Sequence, residues 1–136
     1  MAITVSDALD RLGEAVESGE LAALCERLGV EIVTLFGSAL TSAEPRDIDV
    51  AVGLARGADR DLLAVINALE ELIPGDHLDI MDLDRAGPVA QKAAMFGARV
   101  LYEAHPSVST DREIRAFMAY EDTRWLRDLQ TETLRG

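Results

Sequence analysis

Two short apolar segments with the periodicity of β-strands flank a Gly-Ser step, and they limit the possible folds more than any other feature of the chain. The first, residues 30–36, leads directly into Gly37 and Ser38. In the second, residues 47–53, branched apolar side chains alternate with two aspartates and an alanine. Because successive side chains of a strand point to opposite faces, the apolar set faces a core and both carboxylates face the other way. We therefore predict two strands joined by a loop over residues 41–46.

The remainder of the chain alternates between helical and strand periodicity. Helices are predicted over residues 6–17 with Ser6 as the N-cap, 21–28, about 59–73 and about 88–97, and further strands over residues 77–83 and 99–103. This order predicts an α/β (α+β) fold, a small mixed β-sheet of about four strands flanked by helices. With no internal repeat or linker, we expect residues 1–136 to form a single domain.

Roughly the last 25 residues have the pattern of one amphipathic helix. Its larger apolar side chains fall mainly on one side, and they are Ile114, Phe117, Met118, Trp125, Leu126 and Leu129. We expect this helix either to pack on the domain or to meet a partner.

Charge and cysteine content exclude several classes of protein. The net charge is −12, so the surface repels phosphate backbones, and we expect no stable nucleic-acid binding but a good match to a basic partner. Cys25 is the only cysteine, which excludes an intramolecular disulfide and fits a reducing compartment. No apolar run approaches the length of a membrane span, and the first residues lack the pattern of a signal peptide. We expect a cytoplasmic protein that does not contact membranes.

The chain contains three Asp-x-Asp pairs, so such a pair alone carries little information. The pair at residues 59 and 61 falls in the first turn of a predicted helix, and the pair at residues 82 and 84 ends a strand and is interpreted as solvated. Only Asp47 and Asp49 combine an alternating apolar strand with an upstream Gly-Ser step. On one face of a strand, their Cα atoms lie about 6.5–7 Å apart, which allows both carboxylates to reach one or two divalent cations.

Two further features complete a predicted nucleotide site. Gly37 allows a sharp turn where the strand ends, so that Ser38 can offer its N–H and O–H groups to phosphate oxygens. The strand over residues 77–83 offers a third carboxylate, for which we favour Asp79, flanked by two apolar residues, with Asp82 as the alternative. The sequence thus predicts a site for a nucleoside triphosphate and its magnesium ion.

These motifs resemble the nucleotidyltransferase superfamily, which is characterised by Gly-Ser, a short variable loop and Asp-x-Asp. Within it, the chain is similar to the minimal nucleotidyltransferase (MNT) antitoxins of HEPN–MNT toxin–antitoxin modules. The similar segments cover most of the chain, namely the strands at residues 33–38 and 47–52, residues 78–86, the helix ending at Gly97, residues 100–103 and the C-terminal helix with Phe117 and residues 120–122. The chain differs in its loop, where only eight residues separate Ser38 from Asp47 and Arg46 replaces a common serine.

The resemblance implies a nucleotidyltransferase fold that binds ATP and Mg²⁺ at the open face of its sheet. It implies transfer of AMP from ATP to a tyrosine of a cognate HEPN ribonuclease toxin, which neutralises that toxin in a hetero-oligomer. By position, Gly37 and Ser38 would bind the nucleotide. Asp47, Asp49 and Asp79 would be the catalytic, metal-binding carboxylates, with Asp79 nearest the acceptor hydroxyl.

Two alternative functions remain open. The short loop, the acidic surface and the amphipathic C-terminal helix also suit a non-catalytic antitoxin that acts by binding its toxin directly. The other alternative is a nucleotidyltransferase that acts on a small molecule such as an aminoglycoside. The sequence favours this function less, because the chain is short and shows no additional domain to hold such an acceptor.

Overall fold

A computed structural model describes residues 2–135, and within them the chain forms seven helices and four strands. In chain order the elements are α1 (Val5–Ser18), α2 (Glu20–Leu28), β1 (Val30–Phe36), α3 (Ser38–Thr41), β2 (Ile48–Leu54), α4 (Leu62–Leu72), β3 (Leu78–Asp82), α5 (Pro88–Met95), β4 (Arg99–Glu103), α6 (Val108–Asp122) and α7 (Arg124–Arg135). The predicted mixed α/β architecture with a four-stranded sheet is confirmed.

The strands form one mixed sheet in the order β3-β2-β1-β4. β1 is antiparallel to both of its neighbours, β2 and β4, whereas β3 is parallel to β2. The end of β1 therefore meets the beginnings of β2 and β3 at one edge of the sheet. This edge is where the motifs singled out in the sequence lie.

Helices cover both faces of the sheet. On the first face, α1, α2 and α4 pack on side chains such as Val33 and Val50 and form the larger apolar cluster. On the second face, α5 and α6 pack on Ile32 and Ala51 in a smaller cluster. Thr34 also faces this second side, where its buried hydroxyl donates to the Ala94 carbonyl of α5 at 2.8 Å. Because helices cover both faces, Ala51 is buried although it lies on the same face of β2 as Asp49.

Several predicted boundaries are wrong by one or two residues, and side-chain capping explains the clearest case. The N-cap of α1 is Thr4 rather than Ser6, because the side chains of Thr4 and Asp7 each accept a hydrogen bond from the backbone amide of the other residue in a capping box. The strand predicted to begin at Asp47 begins at Ile48. Helix α3, a single turn after Gly37, was not predicted.

The C-terminal segment is not the one continuous helix that the sequence predicts. It breaks at Thr123, whose hydroxyl donates to the carbonyls of Ala119 and Tyr120. Arg127 then donates to the Tyr120 carbonyl at 2.6 Å. These side-chain bonds compete with the continuing helix and divide it into α6 and α7.

The described residues contain no helix that is both long and apolar enough to cross a membrane. Cys25 is buried in α2, where burial raises the pKa of its thiol to about 12. A thiol with so high a pKa is unreactive at neutral pH, so Cys25 acts as a small apolar core residue.

Candidate active site

The Gly-Ser step and the predicted aspartates lie together at the edge of the sheet where β1 ends. Gly37 directly follows β1, Asp49 is the second residue of β2, and Asp79 is the second residue of β3. Asp49 lies opposite Phe36 on β1 and opposite Asp79 on β3. The sheet thus brings together residues that are up to 42 positions apart in the sequence.

The three carboxylates differ in burial. Asp49 is half-buried, whereas Asp79 and Asp47 are exposed. Asp47 precedes β2, and the strand begins one residue later with a hydrogen bond from the Ile48 amide to the His77 carbonyl at 2.8 Å. The structure therefore pairs Asp49 with Asp79 inside the sheet and adds Asp47 from the adjoining loop.

The electrostatics of Asp49 show that these carboxylates crowd one another. Burial raises the pKa of the Asp49 carboxyl above its ordinary value, and the negative charges of Asp79 and Asp47 and a hydrogen bond to Asp79 raise it further. Like charges held close together oppose the ionisation of each other. A cation placed among them would remove this repulsion.

Gly37 adopts a backbone conformation that is open only to glycine. Its φ of 74° and ψ of −150° lie in a region that a Cβ atom excludes. A Cβ built on Gly37 would also collide with Oδ2 of Asp49. The turn therefore brings the backbone against the carboxylate, and α3 begins immediately afterwards at the half-buried Ser38.

Replacing Gly37 with alanine is expected to lower the free energy of unfolding by more than the conformational cost of about 1–3 kcal/mol alone. Chemical denaturation would measure the loss. Gly97→Ala is the matched control, because Gly97 also has a positive φ of 72°, but within residues 2–135 no atom beyond its chain neighbours lies within 4 Å of an added Cβ. Its loss is expected to be about 1–2 kcal/mol. Equal losses in the two variants would contradict the close approach of Asp49 to Gly37.

The donor set fits a hard divalent cation. Carboxylate oxygens are preferred ligands of Mg²⁺, and the crowding of Asp49 and Asp79 leaves negative charge that Mg²⁺ would neutralise. Within residues 2–135, no three His, Cys, Asp or Glu side chains already surround a common metal position. The fit accordingly rests on the chemistry of the donors and on the Asp49–Asp79 pairing.

Asp82, the alternative third carboxylate, lies away from this edge. It is the last residue of β3 and pairs in register with Val52, near the opposite end of β2. Its Oδ1 accepts a hydrogen bond from the Asp84 amide at 3.1 Å. The structure therefore brings Asp79, and not Asp82, to Asp49 of β2 and the adjoining Asp47.

The interpretation of Asp84 as a solvated carboxylate is wrong. Its Oδ2 accepts a hydrogen bond from the Leu54 amide at 2.9 Å, and its Oδ1 accepts one from Nη1 of Arg112 at 2.7 Å. The guanidinium of Arg112 is buried and also bonds Glu31 at 2.7 Å. These residues line a cavity of about 540 Å³ at the end of the sheet opposite to Asp49, so this cavity is separate from the candidate active site.

The sequence contains one signal for this buried arginine. Gly53 interrupts the apolar strand β2, and a glycine inside a strand marks a close approach by another group. A Cβ on Gly53 would lie 2.8 Å from Cζ of Arg112. The sequence does not reveal which of its 13 lysines and arginines lies against Gly53.

Comparison with solved structures shows the same fold. One structure is described as the toxin–antitoxin MntA–HepT, with a TM-score of 0.67, 17% identity, and coverage of 90% of this chain and 99% of that chain. A toxin–antitoxin structure with AMP-PNP has a TM-score of 0.68, 18% identity, and coverage of 87% and 98%. A tri-AMPylated Shewanella oneidensis HEPN toxin in complex with its MNT antitoxin gives a TM-score of 0.66, 18% identity, and coverage of 90% and 98%.

Comparison with family models gives a match over residues 20–107 to the family described as polymerase beta, nucleotidyltransferase. No curated protein matches the chain significantly. The matched residues make up more than half of the chain and include β1, Gly37, Ser38 and all three candidate carboxylates. The chain therefore belongs to the polymerase beta nucleotidyltransferase family.

Proposed function

We propose that this protein is an antitoxin that transfers AMP from ATP to a tyrosine of a cognate HEPN toxin and thereby neutralises it. The observation that carries this proposal is the juxtaposition of Asp49 and Asp79 beside the tight turn at Gly37. The structurally similar MNT antitoxin in complex with a tri-AMPylated HEPN toxin supports the choice of reaction and partner.

In the proposed site, Gly37 and Ser38 bind the triphosphate: helix α3 begins directly after the turn at Gly37, and the backbone amide and hydroxyl of the half-buried Ser38 would donate to phosphate oxygens. Asp47, Asp49 and Asp79 would hold Mg²⁺. When bound, Mg²⁺ supplies positive charge that neutralises the triphosphate and the developing charge of the transition state. The site positions its reactants and stabilises charge, which is the main contribution of proteins to phosphoryl-type transfers.

We assign to Asp79 the role of accepting the proton from the tyrosine hydroxyl of the toxin. It lies on β3, an edge strand of the sheet, and its side chain is exposed, so a protein substrate can reach it. The tyrosine oxygen attacks the α-phosphorus of ATP, and the tyrosine proton passes to the Asp79 carboxylate. The bond from the α-phosphorus to the bridging oxygen breaks, and pyrophosphate leaves.

The proposal is tested by incubating the protein with labelled ATP, Mg²⁺ and the toxin encoded beside it. We expect labelled AMP on a tyrosine of the toxin, no label when EDTA removes the metal, and loss of transfer in Asp79→Asn. Absence of label with the unmodified protein would contradict the proposed reaction. Protection of cells by the Asp47→Ala plus Asp49→Ala variant would instead favour neutralisation by binding alone, which the exposed apolar side chains of the C-terminal helices also permit.

A further inference from the structure

The C-terminal helices carry an apolar surface that the rest of the domain does not cover. We call it the C-terminal surface and define it by six side chains: Ile114, Phe117 and Met118 of α6, and Trp125, Leu126 and Leu129 of α7. They make up half of the twelve large apolar side chains that are exposed in the described residues, so the exposed apolar groups are concentrated here. Exposed apolar side chains concentrated on two consecutive helices indicate an interaction site.

Helix α7 packs only at its beginning on the rest of the domain. None of its described side chains, residues 124–134, is buried, and Trp125 remains 66% exposed. An isolated helix of 12 residues is only marginally stable in water. Burial of its apolar face against another molecule would supply the missing stabilisation.

Polar contacts nevertheless fix where α7 begins. The guanidinium of Arg127 lies 3.6 Å from the centroid of the Tyr120 ring and donates to Oγ1 of Thr123 at 2.7 Å. The ammonium of Lys92, the only lysine, lies 3.9 Å from the same ring. Cation–π contacts of this type hold the junction of α6 and α7 to α5 and leave the apolar side chains uncovered.

The C-terminal surface is connected to the side of the sheet that carries the carboxylates. Phe117 stacks on Phe96 with ring centroids 6.3 Å apart. Phe96 packs on the same apolar cluster as Phe36, which lies directly opposite Asp49. Residues directly opposite in neighbouring strands share one face of a sheet. The part of the C-terminal surface that α6 forms therefore lies on the same side of the sheet as Asp49 and Asp79.

The net negative charge of the chain favours a basic partner at this surface. Two copies of a chain with a net charge of −12 repel each other, which opposes self-association through this face. A basic protein is attracted by the same field. A toxin that cleaves RNA must bind phosphates and therefore carries basic groups.

We infer that the C-terminal surface is the docking site for the protein substrate of the proposed transfer, a toxin that presents an apolar patch surrounded by basic side chains. This inference rests on the proposed function for the identity of the partner. Docking at this surface holds the toxin on the side of the sheet from which its tyrosine reaches Asp79.

The test uses the full chain with Trp125→Ser plus Leu129→Ser and measures its affinity for the toxin encoded beside it by calorimetry without ATP. We expect the dissociation constant to rise by at least about thirtyfold, as for the loss of interface hot spots. The matched control is Arg124→Ser plus Asp128→Ser, which also places two serines on α7 and leaves the net charge unchanged. Its dissociation constant is expected to change by less than about threefold.

Further measurements separate this inference from the proposed reaction. The serine variant of Trp125 and Leu129 is expected to bind ATP as tightly as the unmodified protein, because neither side chain belongs to the candidate active site. Toxin binding without AMP transfer by the unmodified protein would refute the reaction and leave the docking site standing. Equal affinity of both serine variants, or a homodimer that only Trp125→Ser plus Leu129→Ser dissociates, would overturn the inference.

Discussion

Replacing Asp49 with asparagine is expected to reduce AMP transfer by about a thousandfold, the effect of removing one group that stabilises transition-state charge. Asp49 lies between Gly37 and Asp79, so its carboxylate is central to the candidate active site. Asparagine keeps the shape of the side chain and removes only its charge. Transfer of labelled AMP to the toxin, with circular dichroism to verify the fold, measures the effect.

The same substitution is expected to stabilise the metal-free protein. Because burial and the charges of Asp79 and Asp47 raise the pKa of Asp49 in the folded state, its ionised form opposes folding. The asparagine variant should therefore have a higher free energy of unfolding than the unmodified protein at neutral pH. The difference should shrink as the pH falls below the raised pKa and vanish below the unfolded-state pKa of about 3.9, where Asp49 is protonated in both the folded and the unfolded states.

Asp82→Asn is the matched control, since it neutralises a carboxylate at the far end of β3. We expect it to leave AMP transfer nearly unchanged. If Asp82→Asn abolished transfer while Asp79→Asn did not, the assignment of the third carboxylate would be reversed.

The parts of the candidate site that the sequence predicts are those fixed by local periodicity. Alternation along residues 47–53 places both aspartates on one face, and the end of an apolar segment at Gly37 places the turn. The pairing of Asp49 with Asp79 is different in kind, because it depends on the register between β2 and β3. Register is set by packing of the whole sheet, and a shift of one residue would move Asp79 to the other face.

The C-terminal helices show a second limit of local patterns. The apolar periodicity of residues 114–129 is real, but it does not reveal whether the domain has a surface to receive it. The break at Thr123 was missed because it depends on a side-chain hydroxyl and on Arg127, whose bonds form only in the folded chain. Periodicity indicates which side chains share a face, and tertiary contacts decide what that face meets.

Replacing Arg112 with alanine is expected to lower the free energy of unfolding by about 3–5 kcal/mol, the cost of leaving buried charges without their partner. Arg112 is only 8% exposed, and its guanidinium donates to Glu31, to Asp84 and to the Leu54 carbonyl. Its removal leaves two carboxylates beside the apolar interior. Urea denaturation measures the loss.

Arg115→Ala is the control, because Arg115 is exposed on the same helix and forms no ion pair within residues 2–135. Its loss should stay within about 0.5 kcal/mol.

The dependence of this loss on pH identifies its cause. Burial alone would raise the pKa of Asp84, but the bonds from the Leu54 amide and Arg112 outweigh it and hold the pKa below its ordinary value. In the unmodified protein, Asp84 therefore stabilises the fold above its unfolded-state pKa of about 3.9, and this contribution is lost as the pH falls through the lowered pKa. Without Arg112, the bond from the Leu54 amide and the charge of Arg60 remain, but the pKa of Asp84 is higher than in the unmodified protein. The stability difference between the two proteins should accordingly narrow as the pH falls through the acid range in which Asp84 becomes protonated. A difference that stayed constant over this range would mean that Arg112 stabilises the fold by packing against Gly53 rather than by pairing with Asp84 and Glu31.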